Sequence, residues 1–340
     1  MKPGTTVTDR AVRMIDVARL AGVSQQTVSR VVNAHPSVSA DVRARVERAV
    51  AQLNYRPNPA ARALVTSRSM NIGVLSYGLA QYGPSVVLTG LVEEARVHGY
   101  ATMLAGLGDL DPASARAALG HLVDDAVDGI VLLAPVEPAI EVVHHLEVAV
   151  PLVEFAPGRG SERSAFGLDE VLGARLVTAA LLDLGHETVI HVTGAPGWLG
   201  TEARLGGWRE ALSDRGRVML APHVADWSAA SGYQVGQVIA RERAATAVFA
   251  ANDQTAIGVI RALKEHGVAV PGDVSVVGFD DIPEAAYVDP PLTTVHLDFA
   301  SLGALAVHAL LGAMGDDEAG AARSTPVPRV VTRASSAPPG

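Results

Sequence analysis

From residue 72 to residue 279 the chain alternates short apolar runs with longer amphipathic stretches, and this alternation limits the folds open to it. Runs suited to strands fall at 72–75, 101–105, 129–133, 152–155, 189–192, 247–250 and 274–279. Helical periodicity falls between them, at 91–97, 113–123, 172–184, 203–213, 232–241 and 254–266. A strand that is apolar on both sides must be covered on both faces, as in parallel sheets wrapped by helices. The pattern therefore predicts an α/β fold of parallel sheets with helices on both faces, divided into two lobes. Ligands in such folds sit beyond the carboxyl ends of the strands. Asn252-Asp253 and Asp280-Asp281 follow two of the predicted strands and are candidates to face one.

Residues 1–70 read differently. They hold 11 Lys and Arg against 4 Asp and Glu, a balance of +7, while the rest of the chain carries −16 of the overall −9. A small basic module thus precedes a large acidic one, and any phosphate recognition belongs to the first. With 49% hydrophobic residues the chain has ample material for a core, which excludes disorder. The absence of cysteine excludes a disulfide scaffold, a thiolate zinc site and a cysteine nucleophile. Residues 1–10 are polar and unlike a secretory signal, and no run of about 18 apolar residues is present to span a bilayer. A cytoplasmic protein with no membrane partner is expected.

Within the basic module, residues 15–21 read as a short helix, with Ile15, Ala18 and Leu20 facing inward. Gly22 breaks it, and Ser24 is suited to cap a second helix over 25–33. That helix sets Val28, Val31 and Val32 against a polar face of Gln25, Gln26, Thr27, Ser29, Arg30 and Asn33. Two short helices joined by a glycine turn form a helix-turn-helix, whose second helix enters the DNA major groove. Gln pairs with adenine and Arg with guanine, and Ser and Thr reach phosphates and bases. A third helix from 39 or 40 to 53 closes the core through Val42, Val46, Ala49, Val50 and Leu53. Pro57 ends it. Asn58 is placed to cap a further short helix starting at Pro59, one too short to be stable alone.

Val17-Ala18-Arg19-Leu20-Ala21-Gly22-Val23-Ser24, followed by Thr27-Val28-Ser29-Arg30-Val31-Val32-Asn33, resembles the LacI family of bacterial transcription regulators. So do Leu53-Asn54-Tyr55-Arg56-Pro57-Asn58 and Ala61-Arg62-Ala63-Leu64, and the likeness extends from about residue 12 to 332. The resemblance implies a small all-α helix-turn-helix DNA-binding domain at 1–57, a hinge helix and linker at 58–70, and an effector-binding core at 71–340. The core would be periplasmic-binding-protein-like, with an N-lobe of 71–167 and 297–326 and a C-lobe of 168–296 and 327–340. It places Ser24, Gln25, Gln26, Thr27, Ser29, Arg30, Asn33, Asn58, Arg62 and Leu64 on DNA. Leu64 would wedge into the minor groove, where unstacking a base step costs a few kcal/mol and the kink it makes brings further contacts.

For the inter-lobe cleft, the resemblance implies that Arg204, Trp227, Asn252 and Asp280 bind effector, with Tyr82, Glu154 and Asp169 nearby. An aromatic face, a guanidinium and short polar groups together suit a sugar. Trp208, beside Leu205 and Leu212, reads as core. Leu133, Ala156 and Leu297 stand where a family member offers polar contacts, so the hydroxyl groups recognised would differ. The implied function is a repressor that binds a palindromic operator in double-stranded DNA as a homodimer and is released by a small sugar-type effector, a mono- or disaccharide. A corepressor-type regulator of a purine or phosphorylated metabolite is the alternative. No cofactor or metal is implied, and the location is the bacterial cytoplasm, on the nucleoid. The tail 334–340 has no leucine heptad that would support an assembly above the dimer.

A sugar-processing enzyme on the same scaffold has no positive support. Glu93-Glu94, Asp124-Asp125, Asp280-Asp281 and Asp316-Asp317 are adjacent acids, whereas glycoside chemistry needs two opposed carboxylates. His144-His145 lack the i, i+4 spacing that lets two histidines share a metal. No serine has a nucleophile-elbow context.

Overall fold

The computed structural model describes residues 12–32, 37–55, 68–108, 110–155, 164–316 and 325–340. The chain divides into two compact units, Met1–Ser69 and Met70–Gly340.

The first unit holds α1 (Met14–Ala21), α2 (Gln25–Val32) and α3 (Ala40–Gln52). Val17, Ala18, Ala21, Val28, Val31, Val46, Ala49 and Tyr55 form its core, with Val42, Val50 and Leu53 packed at the edge. Gly22 ends α1 at φ 66, a left-handed conformation that glycine adopts without penalty. Ser24 then accepts a hydrogen bond from the Thr27 backbone N–H at 3.1 Å, the capping expected of it. One expectation fails. Ile15 and Leu20 do not face inward; they are 42% and 46% exposed. The buried stripe of α1 is Val17, Ala18 and Ala21, and at about 100° per residue Ile15 and Leu20 each fall about 110° from its centre, on opposite flanks.

The second unit runs β1 (Asn71–Ser76), α4 (Tyr82–Val97), β2 (Ala101–Gly106), α5 (Pro112–Asp124), β3 (Gly129–Leu133), α6 (Glu137–His144), β4 (Leu152–Phe155) and β5 (Ser164–Phe166). It continues with α7 (Glu170–Asp183), β6 (Ile190–Thr193), α8 (Leu199–Ser213), β7 (His223–Val224), α9 (Ala229–Glu242), β8 (Ala247–Ala250), α10 (Asp253–Glu265) and β9 (Ser275–Val277). A 3-10 turn at Pro283–Ala286, β10 (Thr294–His296), α11 (Phe299–Ala313) and β11 (Arg329–Val331) complete it.

Two parallel sheets result, in the orders β2-β1-β3-β4-β5 and β7-β6-β8-β9. The short antiparallel pair β10–β11 is an addition that the alternating pattern did not predict. After β10 the chain returns to the first lobe, where α11 packs on α4. A Cβ at Gly90 would strike the carbonyl of Ala300, and one at Gly303 would strike the backbone of Val87, so the two glycines set how closely these helices approach. The C-terminal tail then joins the second sheet. Val276 N–H donates to the Ser335 carbonyl, and the Ser335 hydroxyl donates to the Val276 carbonyl at 2.6 Å. Among the described residues no helix is long and apolar enough to cross a membrane.

Candidate functional site

The first unit presents α2 as its polar face. Gln25, Gln26 and Arg30 are exposed, Thr27 and Ser29 are half-buried, and Val28 and Val31 anchor the helix to the core beneath. The Ser24 and Thr27 hydroxyls lie 2.9 Å apart, so both serve the helix start. Asn33, Asn58, Arg62 and Leu64 lie outside the described residues.

In the second unit a cleft of about 580 Å3, part of it open to solvent, lies at the carboxyl ends of the strands. Leu133 ends β3 and Phe155 ends β4. Asn252 follows β8 and Asp280 follows β9. Phe, Tyr and Trp make up only 4% of the chain, yet Tyr82, Phe155, Trp198, Trp227 and Phe299 all line this cleft. Trp198 lies edge-on to Trp227 with ring centroids 5.7 Å apart, and Tyr82 meets Phe299 edge-on at 6.0 Å. Trp198 belongs to the loop after β6 but reaches the first lobe, where its ring rests over Gly78 and beside Tyr77, at 6.1 Å. The backbone joins the lobes at the same place: Leu199 N–H donates to the Pro135 carbonyl and Glu137 N–H to that of Gly197, both at 3.0 Å.

Trp227 adopts φ 75, costly for a non-glycine residue, and its ring fills the space beside Gly194 where a Cβ would collide with it. Its buried indole N–H has no hydrogen-bond partner. A buried donor without a partner costs about 1–3 kcal/mol, so Trp227, in the cleft wall, carries an unused donor.

Arg204 organises the floor. It is buried, donates from Nε to Glu170 at 2.9 Å and from Nη2 to Asp280 at 3.0 Å, and donates from Nη1 to the Ala251 carbonyl. Its guanidinium stacks over Phe279 at 4.2 Å and lies 5.3 Å from the Trp227 centroid. Burial alone would lower the Arg204 pKa, but Asp280 and then Glu170 outweigh it and the pKa rises. Burial pushes the Asp280 carboxyl up to about 7, with Arg204 opposing and Glu170 adding repulsion. Next to it Asp253 is fully buried, accepting from the Thr294 hydroxyl at 2.5 Å and the Ile282 N–H at 2.8 Å. Burial pushes Asp253 up to about 8 despite those bonds. The Tyr82 phenol is raised as well, first by burial and then by Asp280.

Asn252 caps α10 by accepting from Thr255 N–H at 2.9 Å, and its amide donates to the Trp227 carbonyl at 3.0 Å and to Gln254 at 2.9 Å. It therefore holds Trp227 in place, and what remains of its own capacity toward a ligand is acceptor capacity on Oδ1.

The cleft thus brings together Tyr82, Arg204, Trp227, Asn252 and Asp280, but not two other expected residues. Asp169 is exposed and caps α7, accepting from Leu172 N–H at 2.8 Å. The residue after it, Glu170, is the carboxylate that enters the site. Glu154 points away from the cleft and bonds His144 Nε2 at 2.6 Å, because alternation along β4 directs its neighbour Phe155 inward. Leu133 lines the cleft and Leu297 is buried outside its lining, while Ala156 lies outside the described residues. Glu170, Trp198 and Phe299 were missed. The signal for Glu170 was present, since it falls on the helical stripe of Gly173, Ala174, Val177 and Leu181, where a carboxylate is out of place without a partner. Trp208 is core: it is 1% exposed and donates to the Val189 carbonyl at 3.0 Å.

A helix-turn-helix unit joined to a two-lobed α/β unit with an aromatic cleft at its strand ends defines the ligand-responsive DNA-binding regulators as a class. Residues 13–58 match the model of bacterial regulatory proteins of the lacI family, and residues 178–336 match that of the periplasmic binding protein-like domain. The chain is 34% identical over 306 residues to the lactose operon repressor of Escherichia coli K12, covering 89% of this chain and 84% of that protein. It is 33% identical to the ribose operon repressor of Haemophilus influenzae, covering 88% and 90%. The crystal structure of the lac repressor dimer bound to operator and the anti-inducer ONPF superposes with a TM-score of 0.83 at 32% identity, covering 96% of this chain and 100% of that one. The chain belongs to the LacI family of bacterial regulatory proteins and is a DNA-binding transcriptional regulator.

Proposed function

We propose that the protein is a cytoplasmic repressor that binds a pseudo-palindromic operator as a homodimer and releases it when a neutral mono- or disaccharide enters the cleft. Gln25, Gln26 and Arg30 read bases in each half-site. The segment 58–70, with Asn58, Arg62 and Leu64, forms the hinge that contacts the centre. In the cleft, the two tryptophans offer faces for the apolar C–H surface of a sugar. The Trp227 indole donates to a ring or hydroxyl oxygen, and Asp280 and Asn252 accept from hydroxyls.

The observation that carries a neutral ligand is the state of Arg204. It is the one cation among the described residues lining the cleft, and two carboxylates and a carbonyl already engage it. A phosphate or carboxylate ligand would find no unpaired positive group there and would meet Glu170 and Asp280, which disfavours a phosphorylated metabolite. The same pairing speaks against glycoside hydrolysis, because both carboxylates are held on one guanidinium rather than set on opposite sides of a scissile bond.

A thermal-shift screen of the full chain tests this reading, since a ligand at a hundredfold its Kd adds about 2.7 kcal/mol of stability. A neutral sugar is expected to raise the Tm, and its 6-phosphate and free purines are not. Stabilisation by a purine or a sugar phosphate, with none by neutral sugars, would overturn the reading.

Two substitutions separate the functions. Arg30→Ala is expected to weaken specific DNA binding by about 1–3 kcal/mol, the worth of one bidentate base contact, with the sugar-induced thermal shift intact. Trp227→Ala is expected to remove that shift while DNA binding measured by fluorescence anisotropy stays within a factor of two or so. Loss of both functions in either variant would count against the assignment.

A further inference from the structure

We propose that Glu94, His98 and His308 form a site for a divalent transition-metal ion, of the zinc, cobalt or nickel type, that clamps α4 to α11. The site lies outside the effector cleft and goes beyond the proposed function.

The three side chains converge from two helices. Glu94 lies on α4, and His98 follows one helical turn later at its C-terminal cap, on the same face. His308 comes from α11, 214 residues away from Glu94 in sequence, and is buried. The close approach enforced by Gly90 and Gly303 holds the two helices at the distance that brings the groups together. One ligand atom from each residue lies within 4.8 Å of the others. His308 Nε2 is 2.7 Å and His98 Nε2 3.4 Å from the same Glu94 oxygen, and the two imidazoles meet edge-on with centroids 5.3 Å apart.

A second observation points to a ligand. His98 Nε2 is buried and makes no hydrogen bond, although it faces the cluster. An imidazole nitrogen placed this way gains a partner by coordination. Glu93, the adjacent acid, turns outward to Arg96 at 3.0 Å and takes no part.

Two imidazoles and one carboxylate are borderline ligands that select zinc and its neighbours over magnesium or calcium, which prefer all-oxygen shells. Three protein ligands leave a coordination position for water, and the Glu94 and His98 side chains are partly exposed, so the cluster lies near the surface. Binding requires unprotonated imidazoles, so acid releases the ion. No i, i+4 pair of histidines marks this site in the sequence. The i, i+4 partner of His98 is a glutamate, and the second histidine comes from a helix far along the chain.

The test uses the full chain, stripped with chelator and titrated with ZnCl2 by calorimetry at neutral pH, with MgCl2 as the control. One saturable zinc per chain and no magnesium binding are expected, with a rise in Tm. CoCl2 should give a visible d–d band of a four- or five-coordinate ion. His98→Ala, at a partly exposed side chain, should weaken zinc binding at least about tenfold and erase the cobalt band. Glu94→Gln should also weaken it, and neither variant should change sugar-induced stabilisation. Zinc binding that survives His98→Ala, or no saturable binding by the wild-type chain, overturns the assignment.

Discussion

Arg204→Ala is expected to destabilise the Met70–Gly340 unit by about 3–5 kcal/mol and to abolish effector binding, because it strands Glu170 and Asp280 in a buried site. The two carboxylates are 4% and 7% exposed, so water cannot replace the guanidinium. The loss should be smaller at pH 6 than at pH 8, since Asp280, already pushed up to about 7, can take up a proton when its cation is gone. Adding Glu170→Gln to Arg204→Ala should restore part of the stability, which distinguishes stranded charge from lost packing. Urea denaturation followed by circular dichroism measures both. A loss below about 1 kcal/mol would mean that solvent reaches the triad.

The second large effect concerns pH. In the unfolded chain an aspartate titrates near 3.9, whereas folded Asp280 and Asp253 titrate at about 7 and about 8. Between these limits the native state binds more protons than the unfolded one, so stability falls as pH rises through the window. The contribution is greatest in acid and is lost by about pH 8. Buried His191, stacked on Phe249 at 4.5 Å, acts in the opposite sense: its pKa is lowered to about 4, and the stability linked to it is complete near neutrality. Unfolding measured at pH 7 and pH 8.5 therefore isolates the acids, and a lower stability at pH 8.5 is expected. Asp253→Asn mimics the protonated acid. Its amide can donate to a rotated Thr294 hydroxyl while its oxygen accepts from Ile282 N–H, so the variant should show a flatter profile, with only the part of the fall due to Asp280 remaining between pH 7 and pH 8.5. Stability that is constant or rising over this range in the wild-type chain would contradict the account.

Local chemistry made much of the fold readable. Ser24 and Gly22 marked the helix-turn-helix because a cap and a left-handed residue leave direct traces in composition. The strands of the two parallel sheets were readable because they are apolar on both faces. α11 was not, since its sequence is apolar nearly all round and lacks the polar stripe that reveals a helical period. α4 begins at Tyr82, ahead of the expected 91, because Pro84 falls in the first turn, where its missing N–H costs nothing. β9 stops at Val277, short of the expected 279, where the chain turns toward Asp280 at φ 100. In the cleft, Arg204, Trp227, Asn252 and Asp280 were identified, but their partners were not. Glu170 sits one residue from the expected Asp169, and helix geometry assigns one to the cap and the other to the interior. Trp198 enters from a loop whose course depends on the opposite lobe, and no local pattern encodes that.

If filling the cleft changes affinity for DNA, the coupling is reciprocal. The direct measurement takes a duplex selected by the full chain from random DNA and the sugar that stabilises it. DNA affinity is determined with and without sugar, and sugar affinity with and without DNA. Both affinities are expected to fall by the same factor. A drop in DNA affinity with sugar affinity unchanged by DNA would contradict this coupling.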